Sequence, residues 1–140
     1  PDKVKKLAIT GANIWIDARA FPADLLEFPD ILLDSLSKLP QTPEIKNAIK
    51  VWKLVYQEPN ISLTQLNSIK SQTLVIGGDH DIILPTHAVL IADNIPKSNL
   101  WILPNSGHST LINYKNQFNN TVENFLKTPY RIIKGMNRIN

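Results

Sequence analysis

Apolar residues follow two rhythms along this chain. The first is the short unbroken run: Lys6 to Thr10 (KLAIT), Thr73 to Ile76 (TLVI) ahead of the Gly77-Gly78 pair, and Asn99 to Leu103 (NLWIL) ahead of Pro104. Runs this short, without alternation and closed by turn residues, predict strands of a parallel sheet covered on both faces. The second rhythm is helical. Thr42 can cap a helix with Pro43 at its first position, and Ile45, Ala48, Ile49, Trp52 and Val55 then share one face up to a stop near Glu58-Pro59. Ser62-Leu63-Thr64-Gln65 is a capping box that opens a short helix through Ile69. Asp24 to Leu36 is helical in pattern, but Pro29 removes a donor inside it, so a broken helix is expected. Thr86 to Asn94, carrying Val89, Leu90 and Ile91, predicts a further helix. A last one is predicted over Tyr114 to Leu126, where Phe118, Val122, Phe125 and Leu126 recur on one face before Thr128-Pro129.

The order is thus strand, helical insertion, strand, helix, strand, helix, an α/β chain with a parallel sheet and covering helices. Three strands make a thin sheet, and the chain begins at Pro1 with its single Met at position 136. Further strands are therefore expected upstream of residue 1.

Composition narrows this picture. The chain has 140 residues, of which 43% are hydrophobic and 19% charged, the balance of one globular domain. Its apolar stretches, such as Ala88 to Ala92, fall far short of the roughly 20 residues that span a bilayer. There is no cysteine, which excludes disulfides, thiolate metal sites and a Cys nucleophile. With no apolar segment behind Pro1 to act as a signal peptide, the protein is expected to be cytoplasmic. Of the net charge of +3, the tail from 127 to 140 contributes Lys127, Arg131, Lys134 and Arg138 and no acid. The body is then slightly acidic, which argues against a nucleic-acid partner, and the tail reads as a solvated basic arm.

Parallel strands joined by right-handed crossovers deliver their C-terminal ends to one sheet edge, where ligands gather. The loop after the second strand reads Gly77-Gly78-Asp79-His80-Asp81, and the loop after the third reads Pro104-Asn105-Ser106-Gly107-His108. Neighbouring strands lie about 4.8 Å apart, so a carboxylate on one loop can reach an imidazole on the other. A carboxylate bonded to one ring nitrogen fixes the tautomer and leaves the other nitrogen to accept a proton from a nucleophile. No Gly-x-Ser-x-Gly supplies that nucleophile, and Ser106 and Ser109 stand too close in sequence to His108 to replace it. His80 and His87 are expected to be exposed. With no paired histidines at helical spacing, neither a metal site nor a cofactor is expected.

The segments KLAITGAN, TLVIGGDHD with Ile83 and Pro85 following, and NLWILPNSGHS occur in the order and spacing of the C-terminal half of the α/β-hydrolases, and from about Lys5 to Leu126 the chain resembles that family. The resemblance implies a partial α/β-hydrolase fold, a three-stranded parallel sheet corresponding to family strands six, seven and eight. Residues 1–10 would form a strand at the sheet edge, 11–70 a helical cap or lid, 71–126 the core with the acid and histidine loops, and 127–140 the basic tail. Gly78-Asp79-His80-Asp81 matches the family's Gly-x-x-Asp, which implies Asp81 as the acid, with Asp79 as the second candidate, and His108 as the base. Ile14, Trp15, Trp52 and Tyr56 fall in the implied lid, as ordinary packing or as pocket lining.

The implied activity is hydrolysis of small-molecule esters or related acyl substrates through a Ser-His-Asp triad whose nucleophile lies upstream. An Asp nucleophile there would make the parent an epoxide hydrolase or dehalogenase, and a degenerate elbow would make it a non-catalytic interaction module. Cutting such a sheet leaves Lys6 to Thr10 as a raw apolar edge, so self-association, most simply as a dimer, is expected.

Overall fold

The computed structural model describes residues 3–134; residues 135–140, with the expected tail charge at Arg138, lie outside them, as do Pro1 and Asp2. Strand β1 (Lys6–Thr10) is followed by a 3-10 turn at Ala23–Leu25, then helices α1 (Phe28–Ser37), α2 (Pro43–Gln57) and α3 (Leu63–Asn67). Next come β2 (Gln72–Gly78), α4 (Pro85–Asp93), β3 (Ser98–Leu103), α5 (Thr110–Asn113) and α6 (Lys115–Lys127). The strands form one parallel sheet in the order β1-β2-β3.

Burial explains the unbroken apolar run of β2, which is buried along its whole length because both faces of the sheet are covered. Val75 points to one face, where Ala88, Ile91 and Ala92 of α4 pack with Ile14 and Leu66. Leu74 and Ile76 point to the other, where they cluster with Leu103 of β3 and Phe125 of α6. Ile76, Ile91 and Leu103 are essentially inaccessible to solvent, and each such side chain contributes about 1.5–3 kcal/mol. Because Ile14 and Leu66 belong to the same cluster as α4, the two ends of the segment between β1 and β2 are anchored in the core.

The helix ends follow local chemistry. Thr42 Oγ1 accepts the Ile45 N–H at the start of α2, and Ser62 and Gln65 form a reciprocal box at the start of α3. Pro29 does not break a helix. It sits in the first turn of α1, where its missing N–H has no intrahelical partner to lose, and the interruption falls earlier, between the 3-10 turn and Phe28. Strand β2 also runs through Gly77 and Gly78 rather than stopping before them. Among the described residues no helix is long and apolar enough to cross a membrane.

The first strand and the last helix are tied directly. Lys6 Nζ donates to the carbonyls of Phe125 (2.8 Å), Leu126 (2.9 Å) and Thr128 (2.6 Å) and lies 5.5 Å from the Phe125 ring centre. A cation thus satisfies the carbonyls that the end of α6 leaves without intrahelical partners.

Candidate active site

The register Gly78↔Leu103 starts the two loops beyond β2 and β3 side by side. Backbone bonds then interlock them: Asp79 N–H donates to Leu103 O, His80 N–H to Ser106 O (both 3.0 Å), and Ser106 N–H to the Asp79 carboxylate (2.9 Å). Gly78 permits this closeness, since a Cβ there would lie 2.0 Å from Ser106 O. Tyr114 Oη adds a bond to Asn105 O at 2.6 Å, fixing the turn where Asn105 adopts a positive φ of 54°.

On this base Asp81 and His108 meet. His108 Nδ1 lies 2.7 Å from Asp81 Oδ1, which also accepts the Ile83 N–H at 3.0 Å. A carboxylate only accepts, so this contact suits the tautomer that donates from Nδ1, which leaves Nε2 as the ring nitrogen with the lone pair. The Asp81 side chain is 2% exposed and the His108 side chain 48%, so the acid is sealed while the ring opens to one side. Asp79 does not join them. Its carboxyl is held below the usual carboxylate range by the backbone N–H of Ser106 and then that of Asn105, the chemistry of a turn clasp. Ser106 is buried with its hydroxyl bonded to Gly107 O and Thr110 Oγ1, and so offers no free nucleophile.

Sequence reasoning missed Gly11. Its φ is +54°, and a Cβ there would lie 2.6 Å from His108 Cε1 and 2.9 Å from Nδ1. The loop after β1 is therefore the floor on which the imidazole rests. The signal available in the sequence was a glycine directly after an apolar run, at the same sheet edge as the two site loops.

His87 is buried, not exposed as expected. Its Nε2 accepts the Ile14 N–H at 3.1 Å, and its Nδ1 donates to Arg19 O at 3.0 Å. Burial depresses its pKa below the ordinary value, opposed by the bond to Arg19. Both nitrogens are committed to the backbone of residues 14–19, so the ring pins that segment to α4. Trp15 packs edge-on against it with centres 5.7 Å apart, and the Arg19 guanidinium stacks over Trp15 at 3.6 Å. His80 is exposed, and among the described residues no group of three His, Asp or Glu converges as a metal site.

His108 and Gly11 line a cavity of about 580 Å³. Phe21, Phe28, Trp52 and Tyr56 form much of its wall, so Trp52 and Tyr56 are pocket-lining, whereas Ile14 belongs to the core and Trp15 packs against it. Burial raises the Tyr56 phenol pKa. The arrangement is a carboxylate-oriented imidazole at the edge of an apolar cavity, able to move a proton on a group brought to Nε2.

No family model matches the chain. Among curated proteins it is similar to the serine hydrolase BPHL of Mus musculus, 24% identical over 153 residues that cover 91% of this chain and 48% of that protein. It is also similar to the 2-hydroxymuconate semialdehyde hydrolase of Pseudomonas putida, 39% identical over 64 residues covering 45% of this chain and 23% of that enzyme. Of solved structures, the esterase EaEST from Exiguobacterium antarcticum superposes with a TM-score of 0.70 at 18% identity, over 89% of this chain and 58% of the esterase. The chain thus spans about half the length of the relatives that it matches most fully, and it carries the C-terminal portion of the α/β-hydrolase fold.

Proposed function

From this portion of the α/β-hydrolase fold, we propose that the chain supplies the acid and the base, Asp81 and His108, of a Ser-His-Asp triad in an enzyme that hydrolyses small-molecule esters or related acyl substrates. In this reading the serine and the backbone donors of the oxyanion hole come from a segment upstream of residue 1, and the helices of residues 11–70 are the lid. The observation that carries it is the 2.7 Å contact between a sealed carboxylate and Nδ1 of a ring that opens to a cavity.

The chemistry follows from that contact. His108 Nε2 takes the proton of the serine hydroxyl as its oxygen bonds to the ester carbonyl carbon, and Asp81 stabilises the imidazolium so formed. The imidazolium then gives that proton to the departing alkoxide as the carbonyl–oxygen bond breaks. Water attacks the acyl-enzyme by the same route, and acid and free serine are released. Ile83 N–H and the buried setting hold Asp81 in one orientation, so the ring arrives in the required tautomer without reorganisation.

The test is kinetic, on the full-length enzyme with a short-chain activated ester. His108→Ala and Asp81→Asn should each lower turnover by about 10³-fold or more. Asp79→Asn should cost little, because the asparagine oxygen still accepts the Ser106 N–H. Reversal of the two Asp results moves the acid role to Asp79. Residues 1–140 alone should show no turnover, and activity equal to that of the full-length enzyme would defeat the proposal.

A further inference from the structure

The cavity over His108 has a wall whose chemistry the proton relay does not use. Trp52 and Tyr56, one turn apart on α2, are stacked with ring centres 5.3 Å apart and planes inclined by only 12°. Both rings line the cavity, as do Ile82 and Ile83 from the loop that carries Asp81. Phe21 and Ile83 in its lining are themselves buried. Among the described residues no Asp, Glu, Lys or Arg lines the space, and His108 is already committed through Nδ1 to Asp81.

We infer that this cavity selects the uncharged, flat apolar group of a substrate, of aromatic or fused-aromatic size, with the Trp52–Tyr56 stack as its specificity-determining surface. The inference deepens the hydrolase reading and rests on it for the chemistry, but it concerns binding alone. A charged group entering here would give up its hydration without a counter-ion, whereas an aromatic ring exchanges water for the Trp52 and Tyr56 faces. The volume of about 580 Å³ lies within the range of small-molecule sites and accommodates a bicyclic group.

Binding by the full-length protein can be followed through the methyl resonances of Ile82 and Ile83 in a titration with three probes of nearly equal shape: 2-acetylnaphthalene, 2-naphthoate and 2-naphthylmethylammonium. The neutral ketone should bind at least about 10-fold more tightly than either ion, with the largest shifts at those two methyls. Trp52→Ala and Tyr56→Ala should weaken the ketone by about 10-fold, Trp52→Phe should restore most of the loss, and Lys53→Ala, on the same helix outside the cavity, should change nothing. Equal or tighter binding of an ion by the unmodified full-length protein overturns the inference, and so do shifts located elsewhere. The comparison of the three probes requires no variant, so a misfolded alanine protein does not protect the idea. The titration reads binding and the kinetic test reads ester turnover, so loss of the hydrolase reading in the kinetic test leaves this result standing, and the converse also holds.

Discussion

Adding one methyl group at Gly11 tests how the imidazole is held. In Gly11→Ala the new Cβ meets two obstacles at once. The backbone there has φ +54°, a left-handed conformation that costs an L-residue about 1–2 kcal/mol. The Cβ would also stand 2.6 Å from His108 Cε1, and carbon atoms rest about 3.5–4.0 Å apart, so the ring must retreat by about 1 Å. Asp81 cannot follow, because it is buried and its Oδ1 is held by the Ile83 N–H. A retreat of that size stretches the 2.7 Å contact beyond hydrogen-bonding range. With His108 half exposed, the lost bond is worth about 1 kcal/mol, so the total destabilisation should be about 2–3 kcal/mol. Misplacing the base by that distance should lower turnover in the full-length enzyme by about 100-fold. Urea unfolding and ester turnover measure the two effects. Gly77→Ala is the control: its Cβ would meet nothing nearer than 3.5 Å, and it should change stability by less than about 1 kcal/mol. A Gly11→Ala protein within about 0.5 kcal/mol of the parent and fully active would refute the account of how His108 is supported.

Three further outcomes are expected. His87 is kept neutral by burial, so the unfolded chain binds the extra proton first, and the stability due to His87 is complete above the ordinary value of 6.5 and drains away as pH falls below it. Urea midpoints at pH 7.5 and 5.5 should therefore separate more in the parent than in His87→Gln, and parallel shifts would rule this out. Lys6→Met should cost about 1–2 kcal/mol in urea unfolding by orphaning the carbonyls at the end of α6, and no measurable change would mean that solvent replaces the ammonium there. Among the described residues β1 pairs only with β2, so its outer edge should draw copies of the chain together at micromolar concentration; sedimentation as a clean monomer of 15.8 kDa would show that edge to be protected.

What the sequence made legible was local or periodic. β2 could be read because a strand buried on both faces needs no alternation, and α2 and α3 because Thr42 and the Ser62–Gln65 box carry their own start signals. The two site loops could be found because each follows a strand directly. Pro29 misled because a proline inside an apolar periodicity reads as a break, and only the end of the preceding 3-10 turn shows that it stands in a first turn. His87 and Gly11 were beyond local reading for a different reason. The partners of His87 are backbone groups at positions 14 and 19, and the partner of Gly11 is a ring at position 108, so neither contact exists until the sheet has formed.

The separation of β1 from β2 also sets an order of events in time. About sixty residues lie between Thr10 and Gln72 but only about twenty between Gly78 and Ser98, so closing the first loop costs about 1 kcal/mol more in chain entropy. Pairing of β2 with β3 around α4 can begin from nearby sequence, whereas β1 gains its ladder to β2 only once that βαβ unit offers an edge. Of the described elements β1 is the first to be synthesised, and it must wait for most of the chain to follow before it can pair with β2. Its Lys6 anchor waits longest, since Phe125, Leu126 and Thr128 are among the last described residues to be made. The earliest-made of the described strands is thus the last of the three to be fastened, and the support beneath His108 is laid only when Gly11 arrives with that strand.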